Sequence, residues 1–286
     1  MVISENPCAH ATKPKKNRAA GDIKHFTPEQ TKIFLDALDR EYEYTYKAHD
    51  RIDDTGKGYH VNEYKELRSI DLQFKVFFYI ALFGGLRRSE ILALTWQDID
   101  FVGKTIDVSK SVCYVNKIRT IKQPKTRNSV RTVTMPDSLM SVLKKYQIEQ
   151  MSAALALGDK WNNSAGLLFT QWNGKPMDVS TPYHKFKHII AAHNASIMSD
   201  ARLTDEERKA QLLPDIPLHG LRHTSATLLI ADNKDVITVA NRLGHAQPST
   251  TMNIYAHALK KKDEEASDTF ERVFGSRNQD KSELQA

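Results

Sequence analysis

Between Thr105 and Met135 the hydrophobic rhythm changes from helical spacing to short β-branched runs separated by turn formers: Ile106-Asp107-Val108, Val112-Cys113-Tyr114-Val115 and Val130-Arg131-Thr132-Val133. Apolar residues on either side recur with a helical period, so the fold must wrap helices around one small antiparallel sheet. Thr27-Pro28-Glu29-Gln30 supplies an N-cap, a proline at the first helical position and a glutamine at the third, ahead of Ile33, Phe34, Leu35 and Leu38. The folded domain is expected to start there. Leu72 to Phe83 reads as a buried helix ended by Gly84-Gly85, with a short helix from about Arg88. Further helices are expected over Leu139 to Met151, Pro182 to His193, Leu218 to Ala231, Val236 to Leu243 and Thr250 to Phe274. Residues 40 to 70 are polar around the turn signal Asp53-Asp54-Thr55-Gly56-Lys57-Gly58 and read as a surface elaboration, or a helix end plus loop. The fold class is mixed, mainly α with a small antiparallel β-sheet. Its limits are a basic linker over 1–22, a folded domain over 23–276 and a polar tail over 277–286.

No window approaches 18 consecutive apolar residues, and the basic N-terminus has no signal-peptide core, so a cytoplasmic protein is expected. Cys8 and Cys113 are too few for a disulfide framework or a zinc site. The net charge of +6 favours a polyanionic partner. Its distribution says more: Lys104, Lys110, Lys117, Arg119, Lys122, Lys125, Arg127 and Arg131 are opposed within their run only by Asp107, and Lys13, Lys15, Lys16 and Arg18 form a second run. Either run alone is an ordinary solvated face; beside a phosphate-type site the two point to DNA. Lys15, Lys16, Lys122, Arg127 and Arg131 are the expected DNA contacts.

Six residues carry the chemistry. Arg87 stands in Gly84-Gly85-Leu86-Arg87-Arg88-Ser89-Glu90, where a guanidinium can fork onto two phosphate oxygens. Lys125 follows Pro124 between two predicted strands, placed to give a proton to a departing oxygen. His219 and Arg222, three apart at a helix start after Pro217, share one helical face near its positive end. His245 follows Gly244, a helix C-cap, and Tyr255 comes ten residues later. Each alone is weak evidence. A phenol of pKa roughly 10 is only about one part in a thousand ionised at neutral pH, so attack on phosphorus needs a proton acceptor, a cationic clamp and a leaving-group acid. The set offers a candidate for every role.

Weaker signals fall away. Gly103-Lys104-Thr105 resembles the end of a P-loop, but Asp98 occupies the first glycine position and the triplet opens a strand. His184, His188 and His193 lack a zinc-protease glutamate, with His193 out of phase, and are read as a solvated helix face. Asp98 and Asp100 flank an apolar residue at a turn and are read as structural.

Together these blocks resemble the tyrosine recombinase family, and within it the integrases of phages, conjugative transposons and genomic islands. The resemblance covers roughly Phe26 to Phe274, with the blocks Gly85 to Glu90 followed by Leu94, Trp96 and Asp98, then Pro124-Lys125-Thr126, His219 to Arg222, and Leu243 to Tyr255 in the family's order. It implies the family's DNA breaking-rejoining catalytic fold. By it, Arg87, Arg222 and His245 hold the scissile phosphate, Lys125 is the general acid, His219 assists proton transfer, and Tyr255 forms a 3′-phosphotyrosine. Family spacing selects Arg87 over its neighbour Arg88. The reaction conserves bond energy, so no cofactor and no metal is expected. The partners implied are double-stranded DNA at attachment or core sites, a homo-tetramer on DNA formed from free monomers, and accessory excision or DNA-bending proteins in a bacterial or phage setting, with nucleoid association and no membrane. Thr269 to Phe274 is a segment that would dock on a neighbouring subunit or on its own domain. Asn6-Pro7-Cys8 and the basic linker look like the end of a core-binding domain, so a catalytic fragment or truncated product is expected. Type IB topoisomerase-like cleavage and a DNA-binding form without full recombination activity are the alternatives.

Overall fold

The capping box read at Thr27 is present: the Thr27 hydroxyl accepts from Gln30 N–H while the Gln30 side chain accepts from Thr27 N–H, opening α1 (Pro28–Leu38). The computed structural model describes residues 24–53, 55–116, 118–122 and 130–244, and the following account concerns these. Phe34 and Leu38 of α1 are fully buried, and the Phe26 amide donates to the Thr224 hydroxyl nearly two hundred residues away, closing the domain on itself. Helix α2 (Leu72–Phe83) is apolar apart from Gln73 and Lys75 near its start and runs through the core, where Phe77 and Phe78 are fully buried. Each such ring contributes about 1.5–3 kcal/mol of transfer free energy. Gly84 ends α2, and Gly85 turns the chain in the left-handed region (φ 62°) before α3 (Arg88–Ile91).

Residues 40 to 70 form a β-ribbon where the sequence suggested a surface elaboration or a helix end plus loop. Strands β1 (Glu41–Tyr46) and β4 (Tyr64–Ser69) pair antiparallel, and β2 (His49–Ile52) pairs with β3 (Gly58–Val61) toward the tip. The turn signal is used as read: the Asp53 carboxylate accepts from Thr55 N–H, the Thr55 hydroxyl and Lys57 N–H. Nearly every ribbon residue is exposed on both faces. The strand signal was nevertheless present: Glu41-Tyr42-Glu43-Tyr44-Thr45-Tyr46 alternates polar and aromatic residues with period two, and the polar composition of the whole stretch masked it.

The stretch 105–135 makes two sheets rather than one. Strands β5 (Ile99–Asp100), β6 (Thr105–Val108) and β9 (Arg131–Thr134) form a three-stranded antiparallel sheet, while β7 (Ser111–Val115) pairs only with β8 (Ile118–Lys122) as a separate hairpin. Asn116, just after β7, has φ 50°, a conformation asparagine tolerates. Asp98 proves structural: its carboxylate accepts from the Thr95 amide and hydroxyl and pairs with Lys110 at 2.8 Å.

Helix α4 (Asp137–Leu157) extends beyond the expected span. Its Gln150 links Trp96 Nε1 (2.7 Å) to the Leu168 carbonyl (2.9 Å), satisfying buried polar groups. Helix α5 (Thr181–Ser199) is followed by α6 (Asp205–Gln211), whose capping box, Thr204 with Glu207, was not read from the sequence. His184 and His188 are exposed, but His193 is buried with Nε2 on the Gln211 carbonyl at 3.0 Å, which corrects the solvated-face reading for that residue. Helices α7 (Gly220–Ala231) and α8 (Val236–Leu243) enclose a small apolar cluster of Ala226, Ile230, Val239 and Leu243 beside the main core. Gly244 caps α8 in the left-handed conformation (φ 66°), as the sequence implied. Among the described residues no helix is long and apolar enough to cross a membrane.

Candidate active site

Arg87, His219 and Arg222 line one cleft of about 450 Å³, together with Arg88, Ser89 and the apolar wall of Phe77, Leu86 and Leu218. The turn at Gly84-Gly85 brings the arginine motif to α7. Arg222 is only 2% exposed, and its Nη1 donates to the Gly85 carbonyl at 2.6 Å. Its Nη2 is buried without a partner among the described residues. Burial first, then the Arg87 charge, lowers the Arg222 pKa to about 9. A buried cation with an unused N–H beside a second cation is stabilised by any anion that enters.

Arg87 caps α3, and Glu90 reaches back to it twice, accepting from Arg87 N–H at 2.9 Å and from Nη1 at 2.7 Å. Arg87 Nη2 also donates to the Gly244 carbonyl at 3.2 Å, which ties the arginine motif to the end of α8. Arg88 is exposed and has no comparable bracing among the described contacts, in keeping with the choice of Arg87. His219 is the N-cap residue of α7. Burial, then Arg222 and Arg87, push its pKa below the usual imidazole value, against the opposing pull of Glu90, so it is neutral at pH 7 and can accept a proton. The His223 ring meets it edge-on, with centroids 4.9 Å apart. Burial, with His219 and Arg222, drives His223 down to about 4.

Of the predicted catalytic set, the structure thus brings together Arg87, His219 and Arg222. Lys125, His245 and Tyr255 lie outside the described residues, as do Lys15, Lys16 and Arg127 of the expected DNA contacts and the segment 269–274. Lys122 is exposed at the end of β8. Arg131 is not on an open surface: its side chain is 7% exposed, with Nη2 on Glu90 at 2.9 Å and Nε on the Arg242 carbonyl at 2.8 Å. Arg131, named among the expected DNA contacts, is instead turned inward, and the strand pattern held the signal, since it shares a face with buried Val133. The basic run is otherwise partly neutralised from outside itself. Lys104 pairs with Asp137, Lys110 with Asp98, and Arg119 donates to the Leu92 carbonyl.

Sequence reasoning missed two members of the site. Glu90, read only as part of a helix start, is buried and bridges Arg87 and Arg131. Burial pushes its carboxyl up, but the bonds and charge of Arg131 and Arg87 outweigh this and hold it below the usual glutamate range. Arg242 spans the Phe83 and Thr134 carbonyls at 2.9 and 2.8 Å, fixing α8 against α2 and β9. The i, i+3 spacing of Arg87 and Glu90 was a usable signal for the first; the second depends on long-range contacts.

The sequence model of the phage integrase family matches residues 59–262. A tyrosine recombinase XerC-like protein of Caldanaerobacter subterraneus subsp. tengcongensis is 33% identical over 213 residues, covering 71% of this chain and 50% of that protein. The ICEBs1 integrase of Bacillus subtilis is 30% identical over 267 residues, covering 93% of this chain and 59% of that protein. The chain therefore spans between half and three fifths of the length of these relatives. The solved structure of the Tn1549 transposon integrase in complex with transposon right end DNA superposes with a TM-score of 0.61 at 21% identity, over 95% of this chain and 72% of that one. That likeness extends the agreement to the fold. With the arginine motif, the His-x-x-Arg box and the match over residues 59–262 in agreement, the chain belongs to the phage integrase family of tyrosine recombinases.

Proposed function

We propose that this chain is the catalytic part of a site-specific recombinase that cuts and rejoins double-stranded DNA through a 3′-phosphotyrosine on Tyr255, integrating or excising a mobile element. The observation that carries the reading is the buried Arg222 guanidinium, with an unused N–H beside Arg87 and His219 in one cleft. Two guanidiniums at fixed positions match the non-bridging oxygens of a phosphodiester and the charge that grows on them during attack. In this reading Arg87, Arg222 and His245 hold the phosphate, neutral His219 assists removal of the phenolic proton, and Lys125 protonates the leaving 5′ oxygen. A 5′ hydroxyl from a partner strand then attacks the phosphotyrosine and releases the tyrosine. In this rejoining step Lys125, left neutral by the cleavage, takes the proton of the 5′ hydroxyl, and His219 returns the phenolic proton to Tyr255. Lys122, Arg127, Lys15 and Lys16 are assigned to the DNA backbone. A homo-tetramer assembled on DNA, accessory DNA-bending or excision proteins and a cytoplasmic, nucleoid-associated site of action belong to the same proposal.

The test uses a nicked attachment-site duplex in which the cleaved fragment diffuses away and traps the adduct. A covalent protein–DNA band on denaturing gels is expected, absent in Tyr255→Phe. The same band in Tyr255→Phe overturns the assignment.

A further inference from the structure

Arg131 closes a ring of polar contacts that joins three distant parts of the chain. From β9 it donates through Nη2 to Glu90 Oε2 (2.9 Å); Glu90 accepts from Arg87 Nη1 through Oε1 (2.7 Å); Arg87 Nη2 reaches the Gly244 carbonyl (3.2 Å); and Arg131 Nε returns to the Arg242 carbonyl two residues earlier (2.8 Å). We infer that Arg131 is a positioning residue for strand cleavage, holding Glu90 and the end of α8 so that Arg87 presents its guanidinium to the phosphate in one orientation. The inference rests on the proposed function. It moves Arg131 from the DNA surface, where charge alone put it, to the support of the clamp.

Three observations carry it. Arg87 is the more exposed partner, with 38% of its side chain accessible, so its orientation depends on what braces it. Glu90 is buried, and its carboxylate is shared between the two arginines, so losing Arg131 leaves it to Arg87 alone. The carbonyls of Arg242 and Gly244 belong to the C-terminal end of α8, where helix carbonyls lack intrahelical donors, and the two guanidiniums supply those donors. Lysine cannot replace this arrangement, because one ammonium cannot stand in for Nε and Nη2 pointing to two acceptors in a fixed plane.

The experiment is a double-mutant cycle on single-turnover cleavage of the nicked duplex at saturating protein, with DNA affinity at several salt concentrations and Tm measured for each variant. Arg131→Met and Glu90→Gln are each expected to slow cleavage about ten- to hundredfold, since small misplacement of a clamp costs on that order. The double variant should be no slower than the slower single one, Arg131→Lys should not restore the rate, and affinity with its salt slope should stay unchanged. Arg131→Lys also serves where Arg131→Met fails to fold. Losses that multiply in the double variant overturn the inference. A salt slope lower by about one phosphate contact would show Arg131 on DNA instead and also overturn it. So would a Tm loss with full cleavage by the folded protein. If the unaltered chain forms no adduct, the functional reading falls and this inference with it; an adduct with a multiplicative cycle removes this inference alone.

Discussion

At the residue scale the site sets a braced cation, Arg87 on Glu90, beside a buried one, Arg222, that has a donor to spare. Arg222 has one N–H engaged by the Gly85 carbonyl and another unused, so its side chain is aimed by the backbone and left one acceptor short. Arg222→Lys keeps a charge but loses the rigid planar fork that aims one N–H at the Gly85 carbonyl and another into the cleft. Single-turnover cleavage should fall about a hundred- to thousandfold, the cost typical of losing one preorganised donor. A rate within threefold of the unaltered chain would contradict this. The histidines set a pH dependence. His223, normally near 6.5, is held near 4, so between those values the unfolded chain binds a proton that the folded chain refuses. Stability is therefore full above about pH 6.5 and falls as pH is lowered toward 4. Over pH 7 to 5 the ideal loss is about 2 kcal/mol, reduced to about 1 kcal/mol by solvent screening at a half-buried ring. Urea unfolding of His223→Gln should show a drop between pH 7 and 5 that is smaller by this amount; equal drops would exclude His223 as the source. The residue types of the clamp were legible in the sequence because guanidinium and imidazole chemistry is local. The inward turn of Arg131 was missed because the charge of a run was weighed before the alternation of its strand.

At the element scale, legibility followed whether an element carries its own signal. Helix α1 began where its capping box said, and α2 and α8 ended at their glycines, because capping and the left-handed turn are properties of a few adjacent residues. The division of 105–135 into two sheets was not legible, since strand pairing is decided by partners far along the chain. Gly244 shows how one capping residue connects element to site. Its φ of 66° strains any residue with a β-carbon, and a Cβ there would stand 2.7 Å from Arg131 Nη1. Arg131 cannot swing aside freely, being held by Glu90 and the Arg242 carbonyl. Gly244→Ala should therefore destabilise the protein by about 1–2 kcal/mol through the left-handed backbone and slow cleavage through displaced Arg131. Denaturant midpoints and cleavage rates measured together check this; a stability loss with unchanged cleavage would separate the cap from the site.

At the scale of the whole molecule the ribbon stands on the core by its base and exposes the rest of its length. The main core gathers α2, α4, α5 and the three-stranded sheet, and among the described residues the ribbon meets it at its base, where Ile70 is buried in the core and Tyr42 packs on it with its hydroxyl donating to the Ala37 carbonyl at 2.7 Å. Beyond that, Tyr44 touches His188, and Tyr46 and Tyr64 stack on each other across the strands at 4.6 Å. A two-stranded ribbon exposed on both faces is marginal by itself. Tyr44 pairs with Glu66 in the register, so residues 45–65 can be replaced by an Asn-Gly turn without moving the ribbon's base. The removed stretch carries Lys47, Arg51, Lys57 and Lys65 against Asp50, Asp53, Asp54 and Glu63, so the net charge is unchanged and long-range electrostatics stay comparable. Calorimetry should place the shortened protein's Tm within about 3 °C of the original, because a loss under about 1 kcal/mol shifts a protein of this size by no more than that. A fall of 10 °C or more would mean that the ribbon folds as one cooperative unit with the core, which its exposed faces argue against.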